Sequence, residues 1–268
     1  MDEVTQVVQE KKNLYRIVFK YHPSLLVSDE VLVKHRLMKG KQFSEEALKN
    51  VVHSITEDTA LQQAYHYIDV KMRTKKEVCH YLKSKEHSED VIASVISRLK
   101  DLSLIDDQHY AESFMRTKMR EGRWGPKMVT QKLQEKGIAK EIAQASQKEY
   151  TNDYYQRNLE HQAEKLMRRY CKSPAKERKN KVYQGLITKG FYSEDIKDYL
   201  SHLSFAMEEE EEYMLLCKQG DKLRRKYRKK PFFEQKQLIK GRLYQKGFSF
   251  SLIEKYLNEV EENNEFSE

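Results

Sequence analysis

The sequence predicts a mainly α-helical protein: tandem three-helix repeats in an elongated, curved array, with a small N-terminal unit of β-strands and helices. Three observations support this fold class. Convincing strand patterns end before about residue 58, and helical patterns follow. The motif Leu-x-x-Lys-Gly occurs three times, with its leucines at 133, 186 and 243. Only 38% of the residues are apolar while 34% are charged, which favours several thin modules over one thick core.

The N-terminal unit is predicted to span residues 1–57. Residues 4–8 and 14–19 are short β-branched and aromatic runs, and residues 24–27 are a candidate third strand. Ser28 followed by acidic residues is typical of a helix N-cap, and Lys39-Gly40 is predicted to close that helix. Ser44 is predicted to begin a second helix.

The Leu-x-x-Lys-Gly motif predicts a repeated helix ending. In a Schellman ending, a left-handed residue, usually Gly, follows the helix, and the next side chain packs back on the residue called C3. We call this apolar pair a clasp. An earlier copy has Leu82 at C3 but Glu86 in place of Gly, which predicts a weaker ending. The three predicted clasps are Leu133 with Ile138 around Gly137, Leu186 with Phe191 around Gly190, and Leu243 with Phe248 around Gly247.

Apolar residues spaced four apart follow each clasp and predict a third helix in every copy. They are Ile92 and Ile96, Ile196 and Leu200, and Ile253 and Leu257; the second copy keeps Ile142, with Ser146 at the partner position. Because another amphipathic helix precedes each clasp helix, the pattern predicts four repeats whose units pack mainly on their neighbours. Their predicted bounds are 58–105, 106–152, 153–206 and 207–268.

The sequence contains no motif typical of an enzyme. Asp106 and Asp107 are interpreted as a helix N-cap and its neighbour rather than a metal site. The three cysteines are far apart and favour neither a disulfide framework nor a zinc site. Five glutamates, 208–212, are interpreted as the start of a solvated helix rather than an acidic ligand site. We therefore expect a binding protein without a catalytic residue, metal or cofactor.

The positive charge predicts an anionic partner, although solvated helix faces are the alternative explanation. The net charge is +8, residues 1–60 are neutral, and residues 61–150 and 151–268 carry +4 each. One basic cluster surrounds Trp124, where Pro126 is predicted to start a helix after a turn at Gly122. Its indole either stacks on a base or covers the corner between two helices. The cations of this cluster are Arg116, Lys118, Arg120, Arg123 and Lys127.

Two further basic clusters lie in the later repeats. One surrounds Pro174 and the other spans residues 218–231. Stacked repeats would align the three clusters as a stripe, which suits a long polyanion better than a small ligand. The candidate binding residues in these two clusters are Arg168, Arg169 and Lys172, then Arg224, Arg225, Tyr227 and Arg228.

Residues 105–138 resemble the central signature of the RecX family of bacterial recombinase regulators. The matching residues are Ile105, Asp106, Asp107, Tyr110, Ala111, Phe114, Arg116, Arg120, Gly125, Pro126, Lys127, Leu133, Lys136, Gly137 and Ile138. The segment from Arg73 is similar to the first repeat of the family, except that Glu86 stands where the family has Gly. The resemblance is specific over about 65–150, and beyond it the chain looks like a long member with extra copies.

The resemblance implies a non-enzymatic protein of three-helix repeats that binds the RecA recombinase and its filament on single-stranded DNA. It implies inhibition of filament growth, ATP hydrolysis and strand exchange, with the protein in the filament groove. Double-stranded DNA is a further expected partner. The alternative is a single-stranded nucleic-acid-binding scaffold that acts by competing for DNA. We expect a cytoplasmic monomer that does not bind membranes, since no apolar run approaches the roughly 20 residues of a spanning helix.

Overall fold

The computed structural model describes residues 1–205 and 208–265, and it is mainly α-helical with a small N-terminal sheet. The chain divides into two compact units, residues 1–113 with 133–145 and residues 114–132 with 146–268. The strands are β1 Asp2–Lys11, β2 Leu14–Phe19, β3 Leu25–Ser28 and β4 Gln42–Phe43. The helices are α1 Asp29–His35, α2 Glu45–Asp69, α3 Lys75–Lys83, α4 Glu89–Asp101, α5 Asp107–Glu121, α6 Pro126–Glu135, α7 Lys140–Ala145, α8 Asn152–Arg169, α9 Ala175–Thr188, α10 Ser193–Ser201, α11 Glu209–Tyr227, α12 Phe232–Gln245 and α13 Phe250–Glu265.

The first unit begins with an antiparallel sheet in the order β3-β2-β1-β4. The three predicted strands are confirmed, and the two-residue β4 was not predicted. The sheet buries Val4, Ile17 and Val27 against Val31 of α1 and Val51 of α2. Alternation of buried and exposed residues along β2 therefore gives the sheet one apolar face for two helices.

Helix α2 belongs both to the N-terminal sheet and to the first repeat. Its N-terminal half packs on the sheet, while Ala60, Leu61 and Ala64 join the core of α3 and α4. The segment from 45 to 69 contains no Gly or Pro, so nothing in the sequence interrupts it. The predicted boundary between the N-terminal unit and the first repeat, at residue 57, consequently falls inside this continuous helix.

The three predicted clasps are confirmed. Gly137, Gly190 and Gly247 have φ values of 86°, 86° and 95°. After each glycine, the backbone N–H of Ile138, Phe191 or Phe248 donates to the carbonyl of the C3 leucine at 3.1, 3.2 or 3.3 Å. All six clasp side chains are buried. The first copy keeps this geometry without glycine, because Glu86 adopts φ 65° and His87 N–H reaches the Leu82 carbonyl at 3.3 Å.

One local expectation is wrong. Helix α1 ends before Arg36, which adopts a left-handed φ of 49°, so the helix stops short of Lys39-Gly40. The predicted third helix of the second repeat is present, but it is only six residues long and continues as a 3-10 turn, Ser146–Glu149. Of its predicted inner positions, Ser146 is buried and Ile142 is half-buried, and Ala143 is buried beside them.

Candidate nucleic-acid interface

The Trp124 corner connects α5 and α6 in the second unit. Gly122 ends α5 with φ 65°, and Pro126 is the first residue of α6, as predicted. Two buried amides of α8 hold the turn: Asn158 Nδ2 donates to the Met119 carbonyl at 2.8 Å, and Gln162 Nε2 donates to the Gly122 carbonyl at 2.7 Å. The corner is therefore fixed by side chains of the next repeat.

The clasp of the third repeat docks on the start of α6. Gly125 N–H donates to the Lys189 carbonyl at 2.8 Å, and Lys127 N–H donates to the Gly190 carbonyl at 3.1 Å. A Cβ on Gly190 would lie 2.2 Å from the backbone nitrogen of Met128, which real atoms do not tolerate. Gly190 is thus required by its left-handed φ and also by the close approach of another helix.

The other two clasps dock in the same way on the first turn of a middle helix. Gly247 lies against Lys176 of α9, where an added Cβ would come within 2.9 Å of the lysine Cβ. In the first unit, Gly137 lies against Lys76 of α3, and the Thr74 hydroxyl donates to the Lys136 carbonyl at 3.0 Å. Each clasp glycine therefore joins one repeat to the preceding one and sets the place of the lysine before it.

A groove with a volume of about 840 Å³ runs over these joints in the second unit. Glu177 is its one carboxylate among the described residues, and that carboxylate pairs with Lys181 at 2.7 Å. Among the described residues, the other five cations of the groove form no ion pair, so their charge is not neutralised. They are Lys132, Arg169, Lys176, Lys189 and Lys246, which come from the second, third and fourth repeats. We call this surface the basic groove.

The pKa of Lys189 in the basic groove lies below its ordinary value. Partial burial lowers its pKa first, and the positive charges of Lys165, Arg123 and Arg169 lower it further. An anion bound there would offset both effects, because its negative charge would stabilise the charged ammonium. The electrostatics of the basic groove therefore favour an anionic ligand over a cationic one.

Two half-buried aromatic residues line the basic groove, and each already carries cations on its ring. The ammonium nitrogens of Lys132 and Lys118 lie 4.4 and 5.6 Å from the Trp124 ring centroid. The ammonium nitrogen of Lys181 lies 5.4 Å from the Tyr170 ring centroid, and the central guanidinium carbon of Arg169 lies 5.7 Å from it. The rings thus hold cations in place by cation–π contact.

A second depression of about 640 Å³ shares Lys246 with the basic groove. It is lined by Lys222, Arg225 and Lys226 of α11. The positive surface consequently continues from the third joint onto the first helix of the fourth repeat.

The predicted binding residues have different positions. Trp124 and Arg169 line the basic groove, and Arg225 lines the second depression. Arg120, Arg123, Lys172 and Arg228 are exposed. Two more contact other parts of the protein: Lys127 lies over the Tyr192 ring, and Tyr227 packs on the core of the fourth repeat. The remaining four form ion pairs: Arg116 with Glu149 at 2.7 Å, Lys118 with Glu121 at 2.7 Å, Arg168 with Glu164 at 3.3 Å and Arg224 with Asp221 at 4.0 Å.

Sequence reasoning did not single out Lys132, Lys189 or Lys246 as binding residues. The last two directly precede clasp glycines, so the repeated Lys-Gly pair was a signal that was interpreted only as a helix ending. Their common place in the groove follows from docking between repeats.

The two aspartates at the start of α5 have structural partners. Asp106 accepts the backbone N–H groups of Gln108 at 2.8 Å and His109 at 3.0 Å, as an N-cap does. Asp107 accepts the Lys75 N–H at 2.9 Å. Within the described parts of the chain, no group of three His, Cys, Asp or Glu residues is arranged to hold a metal ion, and no helix has the length and hydropathy to cross a membrane.

Comparison with protein-family models matches most of the repeat region. The model of the first three-helix domain of RecX matches residues 60–99, and that of the second matches 106–146. The model of the third three-helix domain matches twice, at 153–200 and 209–257. The chain belongs to the RecX family. The double match of the third-domain model indicates that the fourth repeat is a further copy of the third.

RecX proteins of similar length resemble this chain from end to end. It is 34% identical to the regulatory protein RecX of Enterococcus faecalis, over 97% of this chain and 98% of that protein. It is 32% identical to that of Levilactobacillus brevis, over 95% and 96%. A crystal structure of regulatory protein RecX matches 76% of this chain and 100% of its own with a TM-score of 0.70 at 28% identity. The crystal structure of RecX from Lactobacillus salivarius covers 55% of this chain and 98% of its own chain, with a TM-score of 0.51 at 35% identity.

Proposed function

We propose that this RecX protein binds the RecA recombinase and its filament on single-stranded DNA, and inhibits filament growth, ATP hydrolysis and strand exchange. The observation that carries the proposal is the basic groove, with five cations that lack an ion pair among the described residues. Its relatives are named regulatory proteins. A regulator with a long cationic surface suits a partner that is itself a long polyanion with bound protein.

In the proposed complex, the second unit contacts phosphates through the basic groove, and exposed cations of the Trp124 corner contact DNA or an acidic recombinase surface. Arg120 and Arg123 are exposed, whereas Arg116 is already paired with Glu149. We expect the protein to lie in the filament groove as a monomer. From there it would oppose the addition of recombinase subunits and the changes in the filament that accompany ATP hydrolysis.

The second candidate function is a nucleic-acid-binding scaffold that inhibits recombination by covering DNA. The basic groove also favours this function, because its cations could bind DNA phosphates without any contact to the recombinase. The two functions differ in one respect. A scaffold inhibits only while it occupies the DNA, so excess DNA removes its effect.

An assay of strand exchange by the recombinase tests the proposed role of the Trp124 corner and the adjoining end of the basic groove. A variant with Arg120, Arg123, Lys127 and Lys132 replaced by Ser should lose most inhibition while keeping its helical circular dichroism. The matched control replaces four exposed lysines of the first unit, Lys12, Lys39, Lys71 and Lys140, and has the same net charge. Equal inhibition by both variants would contradict the assignment of this surface.

A further inference from the structure

We propose that the basic groove is a binding site for the backbone of one nucleic-acid strand, centred on Lys189 and Arg169, and that it recognises phosphates rather than bases. This deepens the proposed function and rests on it in taking DNA as the polymer. The site lies within the second unit and requires no recombinase residue.

The first argument is the arrangement of charge. Lys132, Lys189 and Lys246 come from three successive repeats, and the clasp docking places Lys189 and Lys246 at successive joints. Arg169 and Lys176 lie along the same groove. Cations distributed along a groove match a ligand with regularly spaced negative charges, whereas a small anion would occupy one joint only.

The second argument concerns the rings. A base that stacks on Trp124 would compete with two ammonium groups, those of Lys132 and Lys118, 4.4 and 5.6 Å from the ring centroid. Tyr170 likewise has Lys181 and Arg169 near its ring. Each ring is therefore better suited to orient cations than to accept a base. Besides the two roles that the sequence left open for Trp124, we therefore assign it a third: it is a positioning residue for Lys132.

The third argument favours a single strand over a duplex. Single strands are flexible, so successive phosphates can adjust to cations on three repeats. Duplex DNA is stiff over about 150 base pairs, so it cannot adapt its phosphate positions to a short groove without a cost in bending energy. An acidic peptide is the other polyanion, but its carboxylates are spaced more closely than phosphates.

The test measures binding of the full-length protein alone to a fluorescent 15-residue oligothymidylate, by anisotropy over a range of salt concentrations. The variant is Arg169→Gln with Lys189→Gln, and its matched control is Lys71→Gln with Lys197→Gln, two exposed lysines outside the groove and outside the three basic clusters. We expect the groove variant to bind on the order of tenfold more weakly. Its log–log salt slope should be smaller in magnitude by about 1.4, since each phosphate contact on a single strand contributes about 0.7.

Three competitors test the recognised chemistry. An abasic strand of the same length should bind within about threefold of the oligothymidylate, while poly-glutamate of equal length should compete poorly. The Trp124→Leu variant should bind the oligothymidylate and the abasic strand more weakly by the same factor, because the ammonium of Lys132 is no longer held by the ring. Much weaker binding of the abasic strand would overturn phosphate recognition in favour of stacking. Equal competition by poly-glutamate would overturn the nucleic-acid assignment. A duplex that binds more tightly than the single strand would overturn the choice of a single strand.

The result separates this site from the proposed function. If the groove variant and its control bind the oligonucleotide equally well, the site assignment is wrong, whatever the recombinase assay gives. If the groove variant loses binding as expected while the wild-type protein fails to inhibit the recombinase, the site stands and the proposed function is wrong.

Discussion

At the scale of single residues, the clasp glycines carry two constraints that can be separated by substitution. Gly190 has both a positive φ and a close neighbour, Gly40 has a positive φ with open space around it, and Gly241 lies inside α12 with open space. The positive φ follows from the helix-ending motif. The close neighbour belongs to another repeat, so the sequence motif did not reveal it.

We expect Gly190→Ala to lower the free energy of unfolding by about 2–4 kcal/mol, from left-handed strain and a clash with Met128. Gly40→Ala should cost only about 1–2 kcal/mol of strain. Gly241→Ala should stabilise the protein by roughly 0.5–1 kcal/mol, because alanine is the better helix former. Urea unfolding measures all three, and equal costs for Gly190 and Gly40 would contradict the docked joint.

A second residue-scale prediction concerns Glu77, which accepts a hydrogen bond from Lys136 Nζ at 2.8 Å and from the Thr74 N–H at 3.0 Å. Partial burial raises the pKa of Glu77, but the Lys136 and Thr74 hydrogen bonds together lower it below the ordinary value of 4.5. A lowered carboxyl pKa in the folded state means that its stabilisation is present above the ordinary pKa and is lost as the pH falls through the folded-state pKa.

Glu77→Gln should therefore destabilise the protein at pH 7 by roughly 0.5–1 kcal/mol, a small value because the pair is partly exposed. The difference from the wild type should shrink as the pH falls below about 4.5. Thermal unfolding at pH 7 and pH 3 measures this, with the exposed Glu141→Gln as control. A difference that persists unchanged at pH 3 would show that the ion pair is not its source.

At the scale of elements, the helix endings were predictable because they depend on local sequence. Leu, Lys and Gly at fixed spacing define the clasp, and the buried Leu133, Leu186 and Leu243 confirm it. The continuity of α2 and the shortness of α7 depend on packing against other elements, so local patterns predicted them poorly. Among the candidate binding residues, charge density indicated clusters of cations but could not tell Arg169, which lines the groove, from Arg116, which pairs with Glu149.

The first repeat offers a test of the helix ending. Glu86 occupies a left-handed φ of 65° where the other three endings have Gly. We expect Glu86→Gly to raise the free energy of unfolding by about 0.5–1 kcal/mol, since relief of strain exceeds the entropy that glycine loses on folding. Gln62→Gly, at an exposed position within α2, should instead destabilise by about 1 kcal/mol. Destabilisation by Glu86→Gly in urea unfolding would contradict this explanation.

At the scale of the whole molecule, repetition connects the fold to the proposed function. Each clasp glycine forms a joint, and in the second unit the lysines before Gly190 and Gly247 line the basic groove. The same Leu-x-x-Lys-Gly motif therefore supplies both the docking contact and a cation. The elongated, curved form of the array stays a prediction of the sequence.

The central claim is that the protein regulates the recombinase filament rather than free DNA. The most direct measurement is recombinase ATP hydrolysis on single-stranded DNA while this protein is titrated in, repeated with a large excess of that DNA. We predict inhibition at ratios well below one protein per recombinase, and inhibition that survives the excess. Inhibition that appears only when the protein is abundant enough to cover the DNA, and that excess DNA relieves, would contradict the claim and favour the scaffold.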